Sequence, residues 1–198
     1  LKLYRTYFTY HRRAKAELEA YGIPSELVPF GYEAAAVAEP LVAEEDEVLR
    51  GCFIGNPNPL RVRLFKQLEG RVPFDLYGKG WANYFGRSKD IRVHGPVLHA
   101  EHWRTMAKYR FQLNAMAEHN TDAHNMRTFA APAAGAILVA PRKTDHERFF
   151  EDGKEILLYD DADHAVELCQ KLLSMPFDEA SAIRKAARQR SVSSGYAY

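Results

Sequence analysis

The sequence predicts an α/β domain built on a parallel sheet with helices covering both faces. Between residues 49 and 159, six short apolar runs alternate with stretches of helical periodicity. Strands that alternate with helices pair in parallel, because each crossover returns the chain to the end of the sheet where the previous strand began. Four of the runs end on turn formers, at Gly55, Gly78, Gly95 and Asn114, where the chain must leave the sheet. A length of 198 residues, 46% hydrophobic and 27% charged, suits one full domain and a fraction of another.

The opening segment is mixed. Residues 3–10, aromatic and β-branched, read as a strand. Ala14, Leu18 and Tyr21 mark a helix over 11–21 that stops at Gly22. Residues 27–30 read as a second short strand before the turn at Gly31, and the Ala- and Glu-rich stretch 33–47, broken by Pro40, as a linker or exposed crossing segment. Strands follow at 49–54, 74–77, 91–94, 109–113, 136–140 and 156–159. Between them, Asn58 caps a helix with Pro59 at its first position and Leu60, Leu64, Phe65 and Leu68 as its inner stripe. Trp103, Met106 and Ala107 mark the next helix, and Met126, Phe129 and Ala133 a third that ends near Gly135. Val166, Cys169, Leu172 and Leu173 give an amphipathic helix after Asp161 or Asp163; Asp178 caps a last one, basic on its outer face.

Several functions are excluded. Lys plus Arg is 27 against 26 for Asp plus Glu, and a net charge of +1 supplies no bulk drive toward nucleic acid or an anionic membrane. The longest apolar stretch, 130–139, is too short to span a bilayer and holds Pro132 and Gly135. Two cysteines, Cys52 and Cys169, make neither a disulfide framework nor a metal motif. A cytoplasmic protein is expected. Leu1-Lys2-Leu3-Tyr4 has no initiator Met and reads as if cut from inside a longer chain.

In a doubly wound sheet, ligands bind outside the carboxyl ends of the strands. Tyr77-Gly78-Lys79-Gly80-Trp81 lacks the third glycine of a dinucleotide fingerprint and reads as a glycine-rich turn, which disfavours a nicotinamide oxidoreductase. No phosphate loop of the P-loop type is present. His94, His99 and His102 supply no metal-ligand set and read as surface or turn residues, and Asp160-Asp161-Ala162-Asp163 reads as a helix cap. The polar stretch 120–129 enters a helix from a strand end. It reads equally as a phosphate site, with exposed amides and the Arg127 fork, or as an Asn-capped helix with a solvated arginine.

Five motifs follow one another in order: Phe53-Ile54-Gly55-Asn56-Pro57, Leu76-Tyr77-Gly78-Lys79-Gly80-Trp81, Val93-His94-Gly95-Pro96, Asn125-Met126-Arg127-Thr128-Phe129-Ala130-Ala131-Pro132, and Phe150-Glu151-Asp152-Gly153-Lys154-Glu155-Ile156. Over about residues 27–190 this resembles the nucleotide-binding half of CgeB-like glycosyltransferases, relatives of the group 1 enzymes. The resemblance implies a Rossmann-like doubly wound parallel sheet forming the second lobe of a two-domain GT-B architecture. Residues 1–32 would be the tail of the first lobe and the crossing strand, 33–48 a linker, and 49–198 the nucleotide-sugar-binding domain. The rest of the first lobe would lie outside this chain.

The same resemblance implies a sugar moved from a nucleotide-diphosphate sugar to an acceptor that the sequence does not name. No cofactor or metal is expected, because a helix end and basic side chains would neutralise the leaving diphosphate. Gly55 and Asn56 would lie by the diphosphate, and His94 and Gly95 by the base. Asn125, Met126 and Arg127 would hold phosphate, with Lys79, Asn114 and Asp122 completing the substrate set. Arg127 would be solvent-facing in the free protein. The family pattern has Glu where this chain has Ala130, a position expected to face the cleft and grip the ribose. Its loss leaves a non-catalytic nucleotide-binding module as the alternative.

Overall fold

The structure is a computed structural model that describes residues 4–38, 40–98, 100–116 and 124–197. The opening segment forms a two-stranded parallel sheet of its own: β1 (Tyr7–Thr9), α1 (Arg12–Ala20) and β2 (Ser25–Leu27). Strand β2 ends where the sequence predicted a strand to begin, and Val28 N–H still donates to Thr9 O at 2.9 Å. A short helix α2 (Ala35–Ala38) and a single 3-10 turn (Glu44–Asp46) lead into β3 (Val48–Ile54). Then come α3 (Pro59–Leu68), β4 (Phe74–Tyr77), α4 (Ala82–Phe85), β5 (Ile91–His94), α5 (Ala100–Lys108) and β6 (Tyr109–Leu113). The chain closes with α6 (Met126–Ala133), β7 (Leu138–Pro141), α7 (Thr144–Phe149), β8 (Leu157–Tyr159), α8 (Ala162–Ser174) and α9 (Phe177–Ser193).

The six predicted strands from residue 49 onward form one sheet in the order β5-β4-β3-β6-β7-β8, every pairing parallel. The chain winds outward from β3 to β5, jumps back through α5 to β6, and winds the other way to β8. The carboxyl ends of β3 and β6 therefore flank the topological switch point. Each face carries its own core. Phe53, Phe65, Leu76, Trp81, Phe111 and Val139 belong to one cluster, and Cys52, Ile54, Tyr77, Tyr109, Phe129 and Leu138 to the other. The alternation Cys52-Phe53-Ile54 along β3 sends side chains to opposite faces, as the period of two requires. Gly51, in the middle of β3, sits in register with Phe74 and Phe111, whose rings meet edge-on at 5.6 Å; a Cβ there would strike both rings.

Caps formed largely where predicted. Asn58 accepts from Arg61 N–H at 3.0 Å, and Asp161 from His164 N–H at 2.9 Å. Two readings need correction. Helix α9 starts from Pro176, with Asp178 inside its first turn rather than at its cap. Its face is not uniformly solvated either, since Arg184 is fully buried and pairs with Glu47, as does Arg110 at 2.6 Å. Glu47 comes from the stretch expected to be linker, and its buried carboxylate fastens that stretch to β6 and α9. Helix α7 was not predicted, because its six residues fall below the length at which periodicity is readable. Among the described residues, no helix is long and apolar enough to cross a membrane.

Candidate functional site

The switch point is occupied by two arginines. Arg61, in the first turn of α3, donates to Ala115 O at 3.0 Å and to Asn56 O at 2.9 Å. Arg127, in the first turn of α6, donates to Ile54 O and, at 3.2 Å, to Asn114 Oδ1. Both guanidiniums lie against the Phe53 ring, at 5.1 and 4.5 Å from its centre. Among the described residues neither has a carboxylate partner; the ion pairs of this chain lie elsewhere. Burial and the neighbouring charge of Arg61 pull Arg127 down to about 10. It stays charged at neutral pH, so two like charges share one low-dielectric edge with no acid between them. Arg127 was expected to face solvent, and the structure corrects that: its head is turned inward onto a strand-end carbonyl.

Helix α6 presents its start to the same place. Asn125 is its cap, accepting from Thr128 N–H at 3.2 Å while Thr128 Oγ1 accepts from Asn125 N–H at 3.3 Å. Asn125 Nδ2 donates to the buried Asn114 Oδ1 at 2.8 Å, which ties the helix start to the end of β6. Behind the cap, His146 accepts from Thr128 Oγ1 at 3.1 Å. Its Nδ1 sits 2.7 Å from Pro141 O, an acceptor only, so the proton is on Nδ1. Met126 is 54% exposed at the helix start.

On the other side of β3 an open cleft of about 400 Å³ is lined by Gly55, Asn56, Gly78, Lys79, Val97 and His102, among others. Gly78 makes it possible. Its φ is +151°, and a Cβ there would come within 2.5 Å of Gly55 O, so the ends of β3 and β4 meet backbone to backbone. Asn56 Oδ1 accepts from Lys79 N–H at 2.9 Å, and Trp81 Nε1 donates to Gly55 O at 2.6 Å. Trp81 is fully buried among Phe53, Phe65 and Phe85, which makes the bulky residue after Gly80 a core anchor for this turn. The Lys79 side chain has no partner among the described residues.

The predicted site residues thus divide. Gly55, Asn56 and Lys79 line the cleft, and Asn114, Asn125 and Arg127 converge at the switch point beside it. His94 is not among the residues that line the cleft: its ring stacks on the lining residue Tyr77 at 4.5 Å and its Nε2 lies 3.0 Å from Asp75 Oδ2. Asp75 also accepts from Arg50 and from Tyr109 Oη. Burial opposes its ionisation, yet those hydrogen bonds hold its carboxyl below the usual carboxylate range. Gly95 stands in open space. Asp122 and His99 lie outside the described residues. Ala130, expected to face the cleft, is 6% exposed and belongs to the apolar cluster of Ile54, Tyr77 and Val97, which form the cleft wall. Sequence reading missed Arg61 and His102. The position of Arg61, one turn after a strand-end Asn-Pro-Asn, could have found it; nothing local singles out His102.

A second, smaller pocket of about 200 Å³ opens beyond Arg61, against Met116, Lys143 and Tyr159. Among the described residues no group of three or more His, Cys, Asp or Glu side chains could hold a metal ion.

A family model described as glycosyl transferase-like matches residues 61–198. The chain belongs to that family. The fold agrees with this placement. The chain is similar to a Staphylococcus aureus TarM mutant solved with UDP (TM-score 0.72, 11% identity, covering 96% of this chain and 41% of that one). It is also similar to HepE of Anabaena with UDP-glucose (0.71, 11%, 98% and 60%), and to the pneumococcal O-GlcNAc transferase GtfA with UDP and GlcNAc (0.63, 12%, 98% and 42%). The chain therefore spans between 41% and 60% of these three proteins, in agreement with one lobe of a GT-B fold. No curated protein matches it.

Proposed function

We propose that this chain is the donor-binding part of a glycosyltransferase, one that moves a sugar from a nucleoside-diphosphate sugar to an acceptor. The observation that carries the reading is the pair Arg61 and Arg127, two guanidiniums at the switch point of the sheet with no carboxylate partner among the described residues. A diphosphate supplies the missing negative charge. The N–H groups at the start of α6 and the Lys79 ammonium, unpaired among the described residues, add donors around it. When the glycosidic bond to the donor phosphate breaks, charge builds on the leaving diphosphate. Fixed cations and helix-end dipoles stabilise it without reorganising. Metal independence belongs to this reading, as do a cytoplasmic location, a first lobe outside the chain that brings the acceptor, and membership of the CgeB-like subfamily by motif order.

A second reading, a binding module without transfer activity, is favoured by one observation. Ala130 presents no carboxylate, and the described residues that line the cleft include none.

A thermal-shift screen of nucleoside diphosphates tests the shared core of both. A diphosphate at 100 times its dissociation constant stabilises the chain by about 2.7 kcal/mol. A melting temperature unmoved by UDP, GDP, ADP and CDP at millimolar concentration overturns the proposal. Release of free sugar from the stabilising nucleotide's sugar conjugate by the full-length protein then separates an enzyme from a binding module.

A further inference from the structure

His102 is a half-buried imidazole that the fold does not use. It stands in the first turn of α5 and lines the cleft together with Gly55, Asn56 and Val97. Its ring meets Trp103 edge-on at 4.9 Å, and among the described residues it makes no hydrogen bond and no ion pair. The other buried or cleft-side histidines are committed: His94 to Asp75, His124 to Asp145 and Phe30 N–H, His146 to Thr128 and Pro141. The ring nitrogens of His102 are therefore open to a ligand in the cleft.

Its chemistry narrows the ligand group it suits. Burial, and then the charge of Arg127, hold His102 below the usual histidine value. A neutral imidazole offers one N–H donor and one acceptor nitrogen, a match for a hydroxyl, which also donates and accepts. The cleft has a cationic end, with Lys79 in its lining and the Arg127 guanidinium behind Gly55, and an apolar end at Pro96, Val97 and Leu98. His102 lines the cleft with the apolar group and lies close enough to Arg127 to feel its charge. Given the nucleotide reading above, on which this inference rests, a diphosphate takes the cationic end and a base the apolar end. The pentose lies between them.

We infer that His102 is a ligand-binding residue of this cleft, hydrogen-bonded to a pentose hydroxyl and setting a preference for ribonucleotides over deoxyribonucleotides. Calorimetry on the 198-residue chain with UDP, GDP and ADP, and with their 2′,3′-dideoxy counterparts, tests it. The wild type binds the ribonucleotide more tightly. His102→Ala loses roughly 3- to 10-fold of that affinity, leaves the dideoxy ligand unchanged, and His102→Gln recovers part of the loss. An equal loss on both ligands overturns the hydroxyl assignment, and unchanged affinity for both overturns the role of His102. A wild type that binds none of these nucleotides overturns this inference and the nucleotide reading together. A measurement on the unmutated chain guards against a variant that fails to fold. Nucleotide should protect His102 from acylation by diethyl pyrocarbonate, followed by peptide mass spectrometry, and undiminished labelling at saturation overturns the inference.

Discussion

Arg127 places its guanidinium between a strand-end carbonyl, an amide oxygen and the face of Phe53. The sequence leaves two readings of it open, a phosphate ligand and a solvated arginine, and both have it facing solvent in the free protein. In the structure it also fastens α6 to the ends of β3 and β6. Arg127→Ala is therefore expected to cost about 1.5–3 kcal/mol in stability, the range for hydrogen bonds that involve a charged group, besides weakening nucleotide binding by about 10- to 100-fold. Urea denaturation of both proteins measures the first effect; an unshifted midpoint would mean that these bonds contribute nothing to folding. Ala130 teaches the converse. Its motif neighbours placed it at the cleft, yet its methyl group lies in the apolar wall at 6% exposure. Ala at this position suits packing as well as it reflects a lost carboxylate.

Strand β3 shows what an element contributes. It carries Phe53 and Ile54 into the two cores and delivers Gly55 and Asn56 to the cleft, so its seating fixes the site. That seating depends on Gly51, which leaves room for the rings of Phe74 and Phe111, both fully buried, to meet across it. Gly51→Ala should destabilise the chain by roughly 1–3 kcal/mol through overpacking. The double variant Gly51→Ala with Phe111→Leu should recover part of the loss that the two single changes would add up to, because neighbours couple. Strictly additive losses in urea would rule out a steric origin. Helix α6 is the counterpart on the other side of the switch point, and its reciprocal Asn125–Thr128 cap sets the direction in which its free N–H groups point.

At the scale of the molecule, buried histidines join parts distant in sequence. Phe30 N–H donates to His124 Nε2 at 3.0 Å, so the His124 proton is on Nδ1, which donates to Asp145 at 2.7 Å. Asp145 in turn accepts from Arg12 of α1 at 3.1 Å, and the opening βαβ unit is thereby tied to the main sheet. Burial lowers the pKa of both His124 and His146. Below about pH 6.5 the unfolded chain binds protons at these positions that the native state refuses, so stability falls as pH falls. Asp75 and Asp145, held below the usual carboxylate range, lose their contribution only at lower pH still. Stability is therefore expected to be lower at pH 5.5 than at pH 7.5. Urea midpoints that stay flat across this window would show that both rings take up protons as freely in the native state as in the unfolded one.

The sequence by itself determined the six strands, their order along the chain and the cap at Asn58. All of these are local. A period of two or 3.6 and a Gly or Asn at a strand end are written within a few residues of one another, and the handedness of crossovers leaves few ways to assemble them. Only the tertiary structure decided which polar groups meet. Arg61 and Arg127 come together across 66 residues of chain because β3 and β6 are neighbours at the switch point. Arg184 is drawn out of a basic helix face by a single glutamate in the preceding linker. His94 and His102 look alike in sequence and differ wholly in what surrounds them, Asp75 for one and an open cleft for the other. Periodicity records which face of an element is buried. It does not record what the neighbouring element presents, and the charge, hydrogen bonding and protonation of a side chain are set by that neighbour.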